Sequence, residues 1–335
     1  MQQTNVKDVT PFVRNCFTCK TRDLHTLILW RCLPPRGVPI HKHSVILFHG
    51  FASNRFTFDL EESVSIPDYL ASKGWDTWLV ELRGSGKSKN TGPKSGNTHG
   101  WCFDDHVEDV RALIEKVYTI SGNQVHIIGH SMGAMLVQNA AVGEGMHMIR
   151  SGVSIAGTFM MEPSDWKYFL WLWPIVQHFH TLHPEYIQES LAPMSFRLNT
   201  PWDQWFFRQS NVDPNIARDM FKKNWEPIPI SLISQLRSAV APGGLLSNNG
   251  TKAYVDILPH IRMPMLLLAG SKDEQCPPVC IEHAASLIPN SIYKCFGKRC
   301  GQQHEYGHFD LVVGLNAKKE VWDVISDFLE DNDAV

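Results

Sequence analysis

In the stretch VHIIGHSMGAML (residues 125–136), an apolar run leads into Gly129-His130-Ser131-Met132-Gly133 and on into a helix-forming segment. A serine flanked by glycines at this spacing, on a strand-to-helix turn, is the pattern of an exposed nucleophile. Such a turn is strained and draws the strand and helix backbones together, so side chains at the two glycine positions would clash. The serine is left on the tip. A hydroxyl is a weak nucleophile, however, and needs a base, which in turn needs an acid to orient it. Two later segments carry these groups. In MLLLAGSKDEQCPP, Asp273 lies in a tight turn after an apolar strand; in CGQQHEYGHFDLVVG, His308 follows Gly307 just ahead of the final helix. His304 competes with His308 for the role of base. Glu162 or Asp165, just past the strand ending at Gly157, is the reserve for Asp273.

Acyl transfer also requires donors for the oxyanion that develops on the carbonyl. VILFHGFASN places His49-Gly50-Phe51 at the end of an early strand, where the Phe51 backbone N–H can join that of Met132. Three residues are assigned to substrate contact: His130 inside the serine motif, and Trp171 and Trp205 in an aromatic-rich segment. His178, His180 and His183 have no cysteine or carboxylate at ligand spacing and read as surface or packing residues, while His41 and His43, ahead of a strand, read as solvated. Cys16-x-x-Cys19 is half a zinc site, and Cys276 and Cys280 have the wrong spacing to complete it. No metal and no organic cofactor are expected.

These residues need a scaffold that brings strand ends together. Short apolar runs alternate with helical patterns, which predicts a mainly parallel sheet covered on both faces. Strands are expected at Leu24–Cys32, Val45–His49, Thr77–Leu82, Gln124–Gly129, Gly152–Gly157, Met265–Gly270 and Ser291–Phe296, with Phe12–Lys20 pairing the first as an antiparallel edge hairpin. Helices are expected at Ile66–Ser72, Asp104–Tyr118, Met132–Val142, Val279–Leu287 and Ala317–Leu329. The alternation stops between Thr158 and His260, a region with no comparable strand, prolines at helix starts and six of the 11 tryptophans. It reads as a helical cap inserted after the sixth strand. The expected division is therefore 1–157 and 259–335 for the two parts of the core and 158–258 for the cap.

The segment ELRGSGKS (81–88) resembles the end of a phosphate-binding loop, but the glycine required five residues before the Gly-Lys pair is Glu81, whose charge would repel a phosphate. With 31 Lys+Arg against 34 Asp+Glu and no basic cluster among aromatics, a nucleic-acid partner is not expected. The longest apolar run, YFLWLWPIV, is too short to span a bilayer, which leaves peripheral contact with a lipid surface open. The opening MQQTNVKDVT lacks the apolar run of a secretory leader, and eight cysteines without one read as reduced thiols, so the expected setting is cytoplasmic.

Taken together, HGFASN, GWDTWLVELRGSGKS, WCFDDHVEDV, GHSMGA, GSKDEQCPP and GHFDLVVGLNA resemble the α/β-hydrolases, and in several places their acid-lipase-like branch. The likeness runs from about residue 45 to the end of the chain, apart from most of the cap. It implies the α/β-hydrolase fold, and it implies that Arg83-Gly-Ser-Gly86 is a structural loop after the fourth strand. The departure is the inserted GKRCGQQ between Asp273 and His308. The function expected is hydrolysis of a carboxylic ester with an apolar moiety through an acyl-enzyme on Ser131. A ligand receptor on the same fold, or an acyltransferase using the same three residues, is the alternative.

Overall fold

The computed structural model describes residues 12, 14–89, 91–92, 100–162, 166–186 and 200–333. Eight strands form one sheet: β1 (Arg14–Lys20), β2 (Thr26–Cys32), β3 (Ser44–Phe48), β4 (Thr77–Glu81), β5 (Val125–His130), β6 (Ile149–Ile155), β9 (Met265–Gly270) and β10 (Ser291–Phe296). Their spatial order is β1-β2-β4-β3-β5-β6-β9-β10. The edge hairpin β1–β2 and the β2–β4 pair are antiparallel, and every pairing from β4 to β10 is parallel. β3, β4, β5 and β9 are buried along their whole length, as strands covered on both faces must be. Alternate residues of one strand feed two separate cores. Ile46, Phe48 and Ile127 pack on one face, and Val45, Leu47 and Ile128 on the other.

Around the sheet lie α1 (Ile66–Ser72), α2 (Phe103–Ser121), α3 (Met132–Ala140), α8 (Pro278–Leu287), the short α9 (Asp310–Val313) and α10 (Asp323–Asp333). α1 starts where Ser65 Oγ accepts from the Asp68 N–H at 3.2 Å, with Pro67 in its first turn. α2 stops at Gly122, whose φ of 71° a side chain would oppose. The last expected helix begins as a wide π-type turn at Lys318–Trp322 before settling into α10.

Between β6 and β9 the chain is mainly helical, with α4 (Lys167–Val176), α5 (Pro201–Phe206), α6 (Pro214–Lys223) and α7 (Ile230–Leu236). Two short strands, β7 (Thr181–Leu182) and β8 (Ile228–Pro229), pair antiparallel, too briefly for any periodicity to show in the sequence. This segment is tied to loops at the carboxyl ends of the strands. The Glu226 N–H donates to Ala52 O at 2.9 Å, Asn54 Nδ2 to Glu226 Oε1 at 2.8 Å, and the Phe309 N–H to Phe206 O at 3.0 Å.

The ELRGSGKS loop is filled by the protein's own carboxylates. The Lys87 N–H donates to Glu81 Oε2 at 2.9 Å and the Gly86 N–H to Glu226 Oε1 at 2.9 Å. A Cβ on Gly86, which has φ of 46°, would stand 2.3 Å from Glu81 Oε1. The backbone donors a phosphate would need are thus already committed to negative charge. Arg83 Nη2 meets the buried Asp109 at 2.7 Å, and exposed Lys87 lies with Nζ 4.3 Å from the Trp30 ring centre. No helix among the described residues is long and apolar enough to cross a membrane. ATP and GTP are expected to leave the thermal unfolding midpoint unchanged, since a ligand stabilises only what it binds. A reproducible nucleotide-dependent rise would contradict this account of the loop.

Candidate active site

Ser131 stands between β5 and α3 with φ 58° and ψ −120°, a conformation L-residues rarely adopt. Its N–H is fixed to Ile155 O on the neighbouring strand at 2.8 Å. The flanking glycines are demanded by close approach. A Cβ on Gly129 would lie 2.1 Å from Gly133 O, and a Cβ on Gly133 2.1 Å from Phe48 O. The loop after β3 comes equally near, because a Cβ on Gly50 would stand 2.9 Å from Ser131 Cβ and 3.5 Å from its Oγ. Ser131 itself is half-buried, so its hydroxyl remains reachable.

Past the carboxyl end of β9 lies a buried pair. His308 Nδ1 is 2.8 Å from Asp273 Oδ2, the side chains of both being almost wholly covered. The other oxygen, Asp273 Oδ1, accepts from the backbone N–H groups of Gln275 at 2.8 Å and Cys276 at 2.9 Å. Three hydrogen bonds therefore hold the carboxylate, and the carboxylate holds the ring, with Nε2 as the remaining nitrogen for chemistry. It is His308, and not His304, that meets Asp273. The inserted residues do not shift this register because they close on themselves: the Cys300 N–H donates to Gly297 O at 2.8 Å, and the Gly297 N–H to Gln302 Oε1 at 2.8 Å. Glu162 is exposed, and Asp165 lies outside the described residues.

The three residues assigned to substrate contact fare differently. His130 is fully buried, and its Nε2 hydrogen-bonds His308 O at 3.0 Å, with the two rings 4.7 Å apart. It braces the backbone of the base and has no free face to offer a substrate, which corrects its assignment. Burial and the nearby His308 push its pKa well below the usual imidazole range. Trp171 is 77% exposed and so does not form the interior wall expected of it; it lies on the outer surface of α4. Trp205 is half-buried and stacks edge-on against Trp166 at 5.5 Å. Gln275, which the sequence reading passed over, links both to the acid loop: its Nε2 donates to Trp205 O at 3.0 Å, and its O accepts from Trp166 Nε1 at 3.1 Å. Its position two residues after Asp273 was the available signal.

Near Ser131, the first residue of α3 is Met132, so its N–H is among the donors a helix leaves without an intrahelical acceptor. The approach of Phe51 is governed by His49, another residue whose role was not foreseen. His49 Nδ1 is 3.0 Å from Gly50 O, and Nε2 accepts from the Leu82 N–H at 3.2 Å, with Ser85 Oγ at 3.0 Å. Those partners require the neutral ring, with its proton on Nδ1. Burial drives the His49 pKa down to about 4.

A family model described as the alpha/beta hydrolase fold matches residues 43–177. Triacylglycerol lipase 2 of Arabidopsis thaliana is 26% identical over 100 residues, a match spanning 28% of this chain and only 24% of that protein. Triacylglycerol lipase 1 of the same plant is 24% identical over 346 residues, covering 90% of this chain and 84% of the relative. Among solved structures, a thermophilic esterase from Thermogutta terrifontis superposes with a TM-score of 0.59 at 18% identity, over 96% of this chain and 100% of its own. The likeness is therefore one of fold as well as of motif.

Two outcomes follow from this geometry. His308→Ala and Asp273→Asn should each lower esterase turnover by about 10⁴-fold, whereas His304→Ala should change it little; the reverse ranking of the two histidines would move the base. For His49, the folded pKa lies below the ordinary 6.5, so its stabilisation is complete above pH 6.5 and is lost as the pH falls from 6.5 towards about 4. The unfolding midpoint of the wild type should drop more steeply across that window than that of His49→Gln. Parallel slopes would show that His49 is not the titrating group.

Proposed function

We propose that this chain, which belongs to the α/β-hydrolase superfamily, hydrolyses carboxylic esters bearing an apolar group, through an acyl-enzyme on Ser131. The observation that carries the reading is the Asp273–His308 pair, bonded at 2.8 Å, on the same side of the sheet as the strained serine turn. The names of the full-length-matching relative and of the structural neighbour, a lipase and an esterase, support the same reaction class.

His308 Nε2 takes the Ser131 proton as Oγ attacks the ester carbon, and Asp273 keeps the ring oriented and stabilises its charged form. The oxyanion is received by the N–H groups of Phe51 and Met132. The tetrahedral species collapses, the alcohol leaves with the proton carried by His308, and a water activated by the same ring releases the acid. His49, by bonding Gly50 O, fixes the loop that presents Phe51.

Preference for an apolar group is supported by the surroundings. A small apolar cavity lies between Ser53, two residues after Phe51, and Phe309, next to His308; its other walls are Phe207, Met220, Phe221, Asn224 and Trp225. The helical segment 158–258 then acts as a cap, supplying most of that lining over the strand ends. The gap is only about 10 Å³, so it marks where the segment's apolar side chains meet the strand ends, and an acyl chain would have to part them to enter.

A fluorophosphonate should label the protein once, and Ser131→Ala should abolish labelling with activity down by roughly 10⁴- to 10⁶-fold and the fold intact. On p-nitrophenyl esters the optimum should fall at medium chain length, with repeated turnover. Labelling that survives the substitution would displace Ser131. A single burst without steady state would favour a receptor, and recovery of a new ester when an alcohol is added would favour acyl transfer.

A further inference from the structure

At the opposite end of the sheet from Ser131, three side chains from distant parts of the chain converge. His43 immediately precedes β3, and His126 is the second residue of β5; in the parallel register Val45 pairs with His126, so both histidines stand at the amino-terminal edge. Asp333 ends α10 and reaches across to them. His43 Nδ1 is 2.7 Å from Asp333 Oδ1, and His126 Nε2 is 3.5 Å from the same oxygen. The ligand atoms of all three fall within 4.8 Å of one another. His43 is 3% exposed and His126 fully buried, which corrects the expectation that the histidine ahead of β3 is solvated.

We propose that His43, His126 and Asp333 form a binding site for a divalent transition-metal ion, with zinc the best match to two imidazoles and a carboxylate. Tetrahedral zinc with bonds of about 2.0–2.1 Å requires ligand atoms about 3.3 Å apart. The His126–Asp333 separation of 3.5 Å is close to that value, whereas His43 and Asp333 are hydrogen-bonded at 2.7 Å and would part by about 0.6 Å to admit the ion. His126 Nε2 is buried and faces the carboxylate, and its contact with Asp333 Oδ1 at 3.5 Å is too long for a good hydrogen bond. An ion between the two atoms would take both as ligands.

The outer contacts are those that metal ligands use for orientation. His126 Nδ1 is held by Ser151 Oγ at 2.7 Å, which fixes the ring while leaving Nε2 directed inward. Asp333 Oδ2 is 3.3 Å from His41 Nδ1, and His41 is itself stacked on Trp75 at 3.8 Å. Trp75 and His43 each meet the His126 ring edge-on, so the site is walled by aromatic surface. Along β5, His126 and His130 are about 13 Å apart at the rise of a strand, so the ion would fasten α10 to the sheet and take no part in the chemistry at Ser131.

The test uses the full-length protein after chelator treatment and dialysis, titrated with Zn²⁺ and, separately, with Co²⁺. One equivalent should bind, the cobalt form should show the visible absorption of a tetrahedral site, and the unfolding midpoint should rise with metal concentration. His126→Gln should weaken binding at least 100-fold, and Ser151→Ala, which keeps all three ligands, should weaken it about 10- to 100-fold. Esterase activity of the metal-free wild type at room temperature should be unchanged. If excess Zn²⁺ produces neither a stoichiometric signal nor a shift in the midpoint, or if binding is equal in His126→Gln, so that cysteines or surface histidines account for it, the proposal fails. Should His126→Gln not fold, the Ser151→Ala titration and the cobalt spectrum of the wild type still decide.

Discussion

The site around Ser131 depends on how closely three backbone segments approach one another. β3, β5 and the start of α3 meet with no room for a Cβ at Gly129 or Gly133, and this contact forces the residue between them into a backbone shape with positive φ. The strain is local, of the order of 1–3 kcal/mol for such a residue, and the fully buried strands on either side over-determine it. A serine held this way cannot withdraw its hydroxyl into the protein. The same approach places the His49–Phe51 loop against it, so one packing constraint sets both the strained serine turn and the loop beside it.

Around that point the molecule uses two buried histidines, lowered in pKa, as braces, and pairs a third, His308, with a carboxylate. His49 fixes a loop through Gly50 O, and His130 fixes the backbone of His308. Both are covered completely, and burial holds both below the usual imidazole range. His308 differs in having an ionisable partner, Asp273, on one nitrogen and the site on the other. That partner distinguishes the candidate base from the bracing imidazoles.

The sheet has two functional edges for the same topological reason. Parallel strands bring all their carboxyl ends together and, on the opposite side, all their amino ends. The first edge gathers Ser131, Asp273, His308 and the hydrogen bonds that tie the helical segment to the neighbouring loops. The second gathers His43 and His126 from adjacent strands and receives Asp333 from the last helix, beside Arg150, whose Nε donates to Asn332 O at 2.7 Å.

The sequence alone determined the strands of the sheet, the glycine-flanked serine turn and the candidates Asp273 and His308 that follow it, because these are local matters. Apolar runs stopped by glycine, proline or aspartate announce strand ends, and the requirement for glycine at 129 and 133 follows from a turn a few residues long. The filled phosphate loop was legible for the same reason, since Glu81 stands within the motif itself. Tertiary structure decided the rest. That His130 braces instead of binding, that Trp171 faces outward, and that Gln275 joins the acid loop to Trp166 and Trp205 all depend on which neighbour lies across a gap. The clearest case is His43 and Asp333, 290 positions apart and 2.7 Å from each other. Nothing in the periodicity of either segment records that distance, because it is set by the register of β3 on β5 and by where α10 comes to rest.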